Sequence, residues 1–378
     1  MSEENQQVPE FDVLTPDIPL PQVVARQEIA DERKGAFRFS FIGSGQGGGR
    51  IAATFRALGY KRVCAINTAR QDLASLPADV KKLVIGDGEG GAGKDPAVAK
   101  AAFDKNAENV LDLMRASFGQ VYDRTIICVG AGGGTGAGTV IGLVDKAREL
   151  QVASKCPTDK VGVIVALPKV TEGRRPSINA HTVLLSLVAY VEQGFVSPLI
   201  VLDNERMSSL YPGLAIDPFW DTANQSVCRL FDLFNMICVQ NSTYTAFDPA
   251  DYKSILDSGL IVFGATPVAN WSEAGQISSA LRDNLKKNIL AGGVNLSTGT
   301  VAAAIVIAGK SVLSQVPHEH LDQAFDQLTR LLKTNSMVHR GIYSGNKDSM
   351  AIYTAIGGLA APTEKLDELA KIGGISGK

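Results

Sequence analysis

The stretch "GAGGGTGAGT", residues 130–139, points most directly to the fold of this chain. It follows an apolar run typical of a buried strand, residues 125–129, and precedes a helical pattern over 140–150. Six of its ten residues are glycine, so little side chain covers the backbone. Bare N–H groups at the start of a helix favour a bound anion such as a phosphate. The stretch therefore predicts a strand, a phosphate-binding loop and a helix, in that order.

Two further glycine-rich loops follow predicted strands, "GSGQGGG" at 43–49 and "GDGEGGAGK" at 86–94. In an open parallel sheet, the loops at the carboxyl ends of the strands converge on one ligand site. A single loop of this kind is weak support, because glycine also marks ordinary turns. Three such loops in one half of the chain predict a phosphate-bearing ligand held between them.

The apolar runs predict a parallel sheet covered by helices in the first half of the chain. The predicted strands are 37–42, 62–66, 82–85, 125–129, 161–167 and 197–202, and the predicted helices are 50–58, 97–118, 139–150 and 177–193. A long helix over 218–239 then leads to four more predicted strands, at 260–264, 300–308, 336–343 and 349–356, with helices at 277–290 and 319–333. We expect an α/β domain joined by a long central helix to a smaller α+β domain.

Composition excludes several classes of protein. Lys and Arg number 37 against 39 Asp and Glu, so there is no overall basic footprint for nucleic acid. The five cysteines contain no CxxC pair, which favours reduced thiols in a cytosolic protein over disulfides or a zinc site. No leader pattern or membrane-spanning apolar run is visible in the sequence, so we expect a cytoplasmic protein without direct membrane binding.

Two familiar nucleotide motifs are almost matched. Residues 43–48 have the GxGxxG spacing of dinucleotide-binding proteins, but the next strand ends in Asn67 and Thr68 where an acid would hold the ribose. Residues 88–94 fit GxxxxGK, but Asp95 follows where a P-loop has Ser or Thr. A P-loop is therefore rejected, and a dinucleotide-dependent enzyme remains as a disfavoured alternative.

The glycine loops resemble those of the tubulin/FtsZ superfamily. Residues 130–138 are similar to its signature, GGGTGTG or GGGTGSG, and depart from it only at Ala137. Further similar segments follow in family order over about residues 37–357: "AINTARQDL" (65–73), "GAGKDPAVAKAAF" (91–103), "VTEGRR" (170–175), "VLDNERM" (201–207) and "FDPADYKSIL" (247–256). Details such as "IVLDNE" indicate a divergent branch, either the phage or plasmid TubZ/PhuZ type or a CetZ-like type.

The resemblance implies a GTPase that uses GTP/GDP and Mg²⁺ and polymerises with itself head to tail in the cytoplasm, or in a host cytoplasm if it is viral. No adaptor partner is identified, and no direct nucleic-acid binding is evident. The implied organisation is a flexible N-terminal arm (1–35), a nucleotide-binding domain (36–217), the central helix (218–240), a GTPase-activating α+β domain (241–360) and a C-terminal tail (361–378).

Carried over position by position, the resemblance assigns the phosphates to the glycine loops, the ribose to Glu172, and guanine to two asparagines and a stacking Trp220. Arg50 stands where the relatives have an amide. An FtsZ arginine aligns with Pro176, and the adjacent Arg174 and Arg175 are candidates to substitute for it. The implied nucleotide contacts are Gly45, Gln46, Gly47, Arg50, Asn67, Thr68, Ala92, Gly93, Gly132, Gly133, Gly134, Thr135, Gly136, Glu172, Arg175, Asn204, Trp220 and Asn224.

The catalytic groups implied by the resemblance come from the next subunit. In the family a loop with the pattern NxDxxD supplies carboxylates that polarise the attacking water. Residues 246–251 keep both acids, Asp248 and Asp251, but have Ala246 in place of the asparagine. From the residues alone, we favour a role for Asp248 as the N-cap of the helix that follows. A superfamily member that binds GTP without hydrolysing it, as a scaffold or regulator, is the first alternative.

Overall fold

A computed structural model describes residues 32–88 and 90–375, so most of the predicted arm and the last residues of the tail lie outside the described residues. The strands are β1 (Phe39–Ser44), β2 (Val63–Ala69), β3 (Lys81–Gly88), β4 (Arg124–Gly130), β5 (Val161–Leu167), β6 (Val196–Asp203), β7 (Leu260–Val268), β8 (Val301–Gly309), β9 (Met337–Gly345) and β10 (Met350–Leu359).

Thirteen α-helices accompany these strands within the described residues. They are α1 (Gly45–Ala57), α2 (Arg70–Ala74), α3 (Pro96–Lys105), α4 (Ala107–Phe118), α5 (Gly134–Ala153), α6 (Arg174–Glu192), α7 (Asn204–Leu210), α8 (Ile216–Ile237), α9 (Pro249–Leu256), α10 (Gln276–Asp283), α11 (Lys310–Leu313), α12 (His318–Leu331) and α13 (Thr363–Gly373). None of the helices in the described ranges is long and apolar enough to cross a membrane.

All ten strands belong to one sheet, in the order β3-β2-β1-β4-β5-β6-β7-β10-β8-β9. Neighbours from β3 to β7 run parallel, and β10 runs antiparallel to both β7 and β8. The junction between the two halves is short, because β6 and β7 pair only at Leu199–Leu260 and Ile200–Ile261. The predicted fold class, a mainly parallel sheet within a mixed α/β protein, is confirmed.

The core has two layers, one on each face of the sheet. Consecutive residues of β1 show this, since Phe41 packs in one layer and Ile42 in the other. Helix α8 lies on the Phe41 side, where Phe231 contacts Phe39 edge-on with ring centroids 4.7 Å apart. Such aromatic contacts add to the free energy gained by burying the rings. The central helix is thereby fixed against the strands that end at the glycine loops.

The predicted helix over 97–118 is wrong, because the structure has two helices separated at Asn106. The Asn106 amide donates to the carbonyl oxygens of Ile85 at 2.8 Å and Ala102 at 3.0 Å. Asparagine readily bonds nearby backbone in this way and so interrupts helices. The predicted helix over 277–290 is also too long, since α10 ends at Asp283 and a π-helical turn, Asn284–Asn288, follows.

The glycine segments predicted as free loops are partly helical. Helix α1 begins at Gly45 and α5 begins at Gly134, inside the segments expected to be turns. A Cβ atom added at Gly48 would lie 2.0 Å from the Cys128 carbonyl oxygen, so α1 approaches β4 more closely than any side chain permits. These glycines therefore also allow helices to pack directly on the sheet.

Candidate functional site

A cavity of about 560 Å³ opens where β1, β2 and β4 end and α1 and α5 begin. Its wall is built mainly from glycine-rich backbone, with a few polar side chains and one tryptophan. Of the residues predicted to contact a nucleotide, those that line it are Gly45, Gln46, Gly47, Arg50, Asn67, Thr68, Ala92, Gly93, Gly132, Gly133, Gly134, Thr135, Gly136, Glu172, Asn204, Trp220 and Asn224.

One end of the cavity is formed by the first turn of α5. The Thr135 hydroxyl contacts the Thr68 hydroxyl at 2.8 Å and the Asn67 amide oxygen at 3.1 Å, which ties this turn to the end of β2. A Cβ atom at Gly136 would lie 2.5 Å from the Gly130 carbonyl oxygen, so the backbone has no room for a side chain there. The N–H groups of a first helical turn lack partners within the helix and attract anions.

The loop after β3 forms the adjacent wall. The Asn179 side chain donates to the carbonyl oxygens of Lys94 at 3.0 Å and Gly132 at 3.2 Å, and so holds this loop against the loop after β4. Lys94 has a φ of 62°, a left-handed conformation that costs energy in residues other than glycine. The strained backbone is thus kept in place by a side chain from α6.

The cavity also carries polar side chains suited to a heterocyclic base. Asn204 opens α7, is 5% exposed, and has an Oδ1 atom that is buried without a hydrogen-bond partner in the described structure. Trp220 and Asn224 lie one turn apart on α8 and also face this cavity. A buried acceptor without a partner costs folding free energy, and a donor on a ligand removes that cost.

Charged groups at the cavity are few. Glu172 accepts a hydrogen bond from the Lys169 backbone N–H at 2.8 Å, which fixes its carboxylate at the rim. Asp72, which was not among the predicted contacts, lines the cavity and accepts from the Asn67 amide at 3.0 Å. Its place in the first turn of the short helix α2 is not evident from the sequence pattern. In the described part of the chain, no three His, Cys, Asp or Glu side chains group closely enough to hold a metal ion.

Arg175 does not line the cavity. Its guanidinium lies 3.4 Å from the Asp95 carboxylate and donates to the Lys94 carbonyl oxygen at 3.4 Å. Its side chain is 57% exposed. The residue therefore supports the outer face of the loop after β3, since the first turn of α6 directs it away from the cavity.

Cysteine chemistry does not contribute to this site. The five cysteines are free thiols, and four of them are buried. Burial raises the pKa of the Cys64 thiol to about 12 and also raises the pKa of Cys128, which lies beneath α1. Thiols with such raised pKa values stay protonated near neutral pH and are poor nucleophiles.

The two predicted catalytic acids lie away from the cavity, at the start of α9. Asp248 is the N-cap of this helix, and its Oδ1 accepts from the backbone N–H groups of Ala250 at 2.8 Å and Asp251 at 2.9 Å. Asp251 returns the interaction by accepting from the Asp248 N–H at 3.1 Å, which completes a capping box. The capping role inferred from the residues alone is thus present, and the cavity of this chain does not contain either acid.

Comparisons with known proteins agree with this geometry. Residues 38–212 match the family model described as the GTPase domain of the tubulin/FtsZ family. The tubulin-like protein CetZ of Pyrococcus abyssi is 26% identical over 332 residues, which cover 85% of this chain and 86% of the relative. Cell division protein FtsZ 1 of Pyrococcus furiosus is 26% identical over 355 residues, covering 90% and 84%.

A solved structure of TubZ from Bacillus thuringiensis serovar israelensis, a GTPγS-form protofilament, superposes with a TM-score of 0.77 and 19% identity. The match covers 90% of this chain and 92% of that protein. At this identity the likeness establishes the fold alone. The family model and the relatives confirm the predicted resemblance to the tubulin/FtsZ family, and the solved structure agrees with it in fold.

Proposed function

We propose that this chain, which carries the GTPase domain of the tubulin/FtsZ family in residues 38–212, polymerises head to tail and hydrolyses GTP at sites completed by the next subunit. One observation carries the proposal. The cavity offers backbone donors for phosphates and side chains for a base, whereas Asp248 and Asp251 lie outside it at the start of α9. A second subunit is needed to bring these carboxylates to a bound nucleotide.

In this mechanism the phosphates lie against the first turns of α1 and α5, where N–H groups and the helix dipoles stabilise negative charge. The base lies beside Trp220 and donates to Asn204, which then gains the hydrogen bond that its Oδ1 lacks. Glu172 accepts from the ribose. The neighbour's carboxylates accept hydrogen bonds from the attacking water and orient it in line with the γ-phosphate. Positioning of this kind, with stabilisation of the transferred charge, is most of what phosphoryl transfer requires.

The cavity also fits a magnesium ion bound with the nucleotide. Mg²⁺ takes oxygen ligands and is usually held by one or two carboxylates together with phosphate oxygens and water. Asp72 supplies a carboxylate at the cavity wall, and Gln46 supplies an amide oxygen at the start of α1. The ion neutralises phosphate charge when it is bound. The two side chains would hold its water ligands beside the loop after β1.

Light scattering and phosphate release with GTP, with ATP and without nucleotide test the proposal. Filaments and phosphate release should require GTP and show a steep dependence on protein concentration, because each site needs two subunits. Asp251→Ala should bind GTP and form filaments while hydrolysis falls by at least about 100-fold. Asp283→Ala, which removes an exposed carboxylate at the end of α10, is the matched control and should hydrolyse normally. Normal hydrolysis by Asp251→Ala would refute the shared site.

The alternative of a GTP-dependent scaffold is favoured by one residue, Ala246, which stands where the family pattern has an asparagine. In the same assay a scaffold would form filaments with GTP and release no phosphate. We propose a cytoplasmic location on the basis of the free, buried thiols. Self-association is the only partner interaction that we propose.

A further inference from the structure

His339, on the edge strand β9, contacts one of the two proposed catalytic acids. Its Nδ1 atom lies 2.8 Å from Asp251 Oδ1, and its Nε2 atom lies 3.0 Å from the Ser254 hydroxyl. The His339 side chain is 17% exposed and that of Asp251 is 26% exposed, so the pair is only partly open to solvent. The histidine comes from a different element than the acid, which lies in the first turn of α9.

The hydrogen positions follow from what each partner can accept. A carboxylate accepts and does not donate, so the hydrogen at the short contact belongs to Nδ1 of His339. The Ser254 hydroxyl also contacts the Asp251 carbonyl oxygen at 2.7 Å. Its one hydrogen can be donated to that oxygen, with the hydroxyl accepting from Nε2 of a charged ring, or to Nε2 of a neutral ring, and His339 donates to Asp251 through Nδ1 in both cases. Asp251 is therefore held by two donors, His339 through Oδ1 and the Asp248 N–H through Oδ2. Only the first of these is a side chain.

The rest of β9 fixes the chain that leads into α9. The Tyr343 hydroxyl accepts from the Phe247 N–H at 2.7 Å and donates to its carbonyl oxygen at 3.2 Å. The Ile342 N–H donates to the Thr245 carbonyl oxygen at 2.9 Å. Burial raises the pKa of Tyr343 to about 12, so its hydroxyl keeps its proton near neutral pH. One strand thus holds both the backbone before the acids and the Asp251 carboxylate itself.

We propose that His339 is a positioning residue for GTP hydrolysis, because it orients the Asp251 carboxylate toward the water in the neighbouring subunit's cavity. The inference rests on the proposed function, which makes Asp251 the acid that acts in trans. Without the Nδ1–H donor, Asp251 keeps one backbone bond and its carboxylate gains rotational freedom. A displacement of about 1 Å in a catalytic group can cost about 100-fold in rate.

Two substitutions separate this role from general destabilisation. His339→Asn keeps an N–H donor close to the Nδ1 position, and His339→Gln places its donor close to Nε2, toward Ser254. We expect phosphate release per filament subunit to fall about 10- to 100-fold in His339→Gln and to stay within about 3-fold of the wild type in His339→Asn. GTP affinity and filament formation, measured on the same samples, should be unchanged in both. His318→Gln, at an exposed position on α12, is the control and should be silent.

The Asp251→Ala background shows whether His339 acts through this acid. If it does, adding His339→Gln to Asp251→Ala should lower hydrolysis no further. Wild-type turnover in His339→Gln, or an equal loss in His339→Asn, would overturn the inference while leaving the shared site intact. Normal hydrolysis by Asp251→Ala alone would instead refute the proposed function, so the two failures are distinguishable.

Discussion

Asn204 is a buried amide at the wall of the cavity, with its Oδ1 unpaired in the described structure. Leaving such an acceptor unpaired costs about 1–3 kcal/mol of folding free energy. Leucine has a similar branched shape and no hydrogen-bonding group, so Asn204→Leu should remove this cost while keeping most of the packing. We expect the nucleotide-free variant to be more stable than the wild type by about 1–2 kcal/mol.

The same substitution should weaken GTP binding. If Asn204 makes two hydrogen bonds to the base, at about 1–1.5 kcal/mol each, their loss raises the dissociation constant about 30- to 150-fold. The unfolding entropy expected for a chain of 378 residues converts the stability gain into a rise of roughly 1–3 °C in the unfolding temperature. At saturating GTP the wild type should then have the higher unfolding temperature, because a ligand stabilises most the protein that binds it most tightly.

Circular dichroism melts with and without GTP measure the stability change. Quenching of Trp220 fluorescence measures binding, since Trp220 lines the cavity and the only other tryptophan, Trp271, does not. Asn235→Leu is the control, because the Asn235 amide is fully buried and bonded to Phe37 and Tyr60. Its free energy of unfolding should fall by about 2–4 kcal/mol, and it should bind GTP as tightly as the wild type. A variant at Asn204 that melts lower without GTP and binds it as tightly as the wild type would refute the reasoning.

Three further outcomes are expected. Gly48→Ala should prevent folding, so that no soluble protein with helical circular dichroism is obtained, because the added Cβ would lie 2.0 Å from the Cys128 carbonyl oxygen. Gly133→Ala is the control and should melt like the wild type, since no atom lies within 4 Å of its added Cβ. Lys365→Met should cost about 3–5 kcal/mol in urea unfolding, since it leaves the buried Asp203 carboxylate, 3.0 Å away, without its cation; adding Asp203→Asn should restore part of the loss. Asp257→Asn should destabilise the protein in melts above about pH 4 and progressively less below it. Burial raises the pKa of Asp257, but the charges of Arg124 and Lys253 lower it by more, so the net pKa is lowered in the folded protein. A lowered carboxyl pKa stabilises the folded state above the pKa of the unfolded chain, and this stabilisation is lost as the pH falls.

The sequence was most informative where one residue type determines the structure. The glycine runs predicted the position of the cavity, because loops after parallel strands converge and glycine allows close approach. It was less informative where a side chain competes locally with the backbone. Asn106 breaks a helix through bonds to Ile85 and Ala102, and the first of these depends on the fold. The spacing of apolar residues along the helix therefore could not predict the break at Asn106.

Contacts between distant segments were the least predictable part of the site. Arg175 follows Glu172, the proposed ribose ligand, closely in sequence, yet it pairs with Asp95 outside the cavity, because the first turn of α6 directs its side chain away. His339 and Asp251 meet only because β9 lies at the sheet edge beside α9, and neither residue's local pattern indicates the other. Spacing rules describe one element at a time, whereas these contacts depend on how two elements pack.

The groups proposed to bind GTP and the groups proposed to hydrolyse it lie on different parts of the backbone. The cavity is lined by glycine-rich turns, and at Gly136 the backbone has no room for a side chain, because an added Cβ atom would lie 2.5 Å from the Gly130 carbonyl oxygen. The acids instead occupy a capped helix start that β9 fixes through His339 and Tyr343. If hydrolysis occurs between subunits, its rate depends on how one subunit's β9 is placed against the next subunit's α5. Small changes in filament geometry would then alter hydrolysis without altering GTP affinity, because the two functions rest on different strands of the sheet.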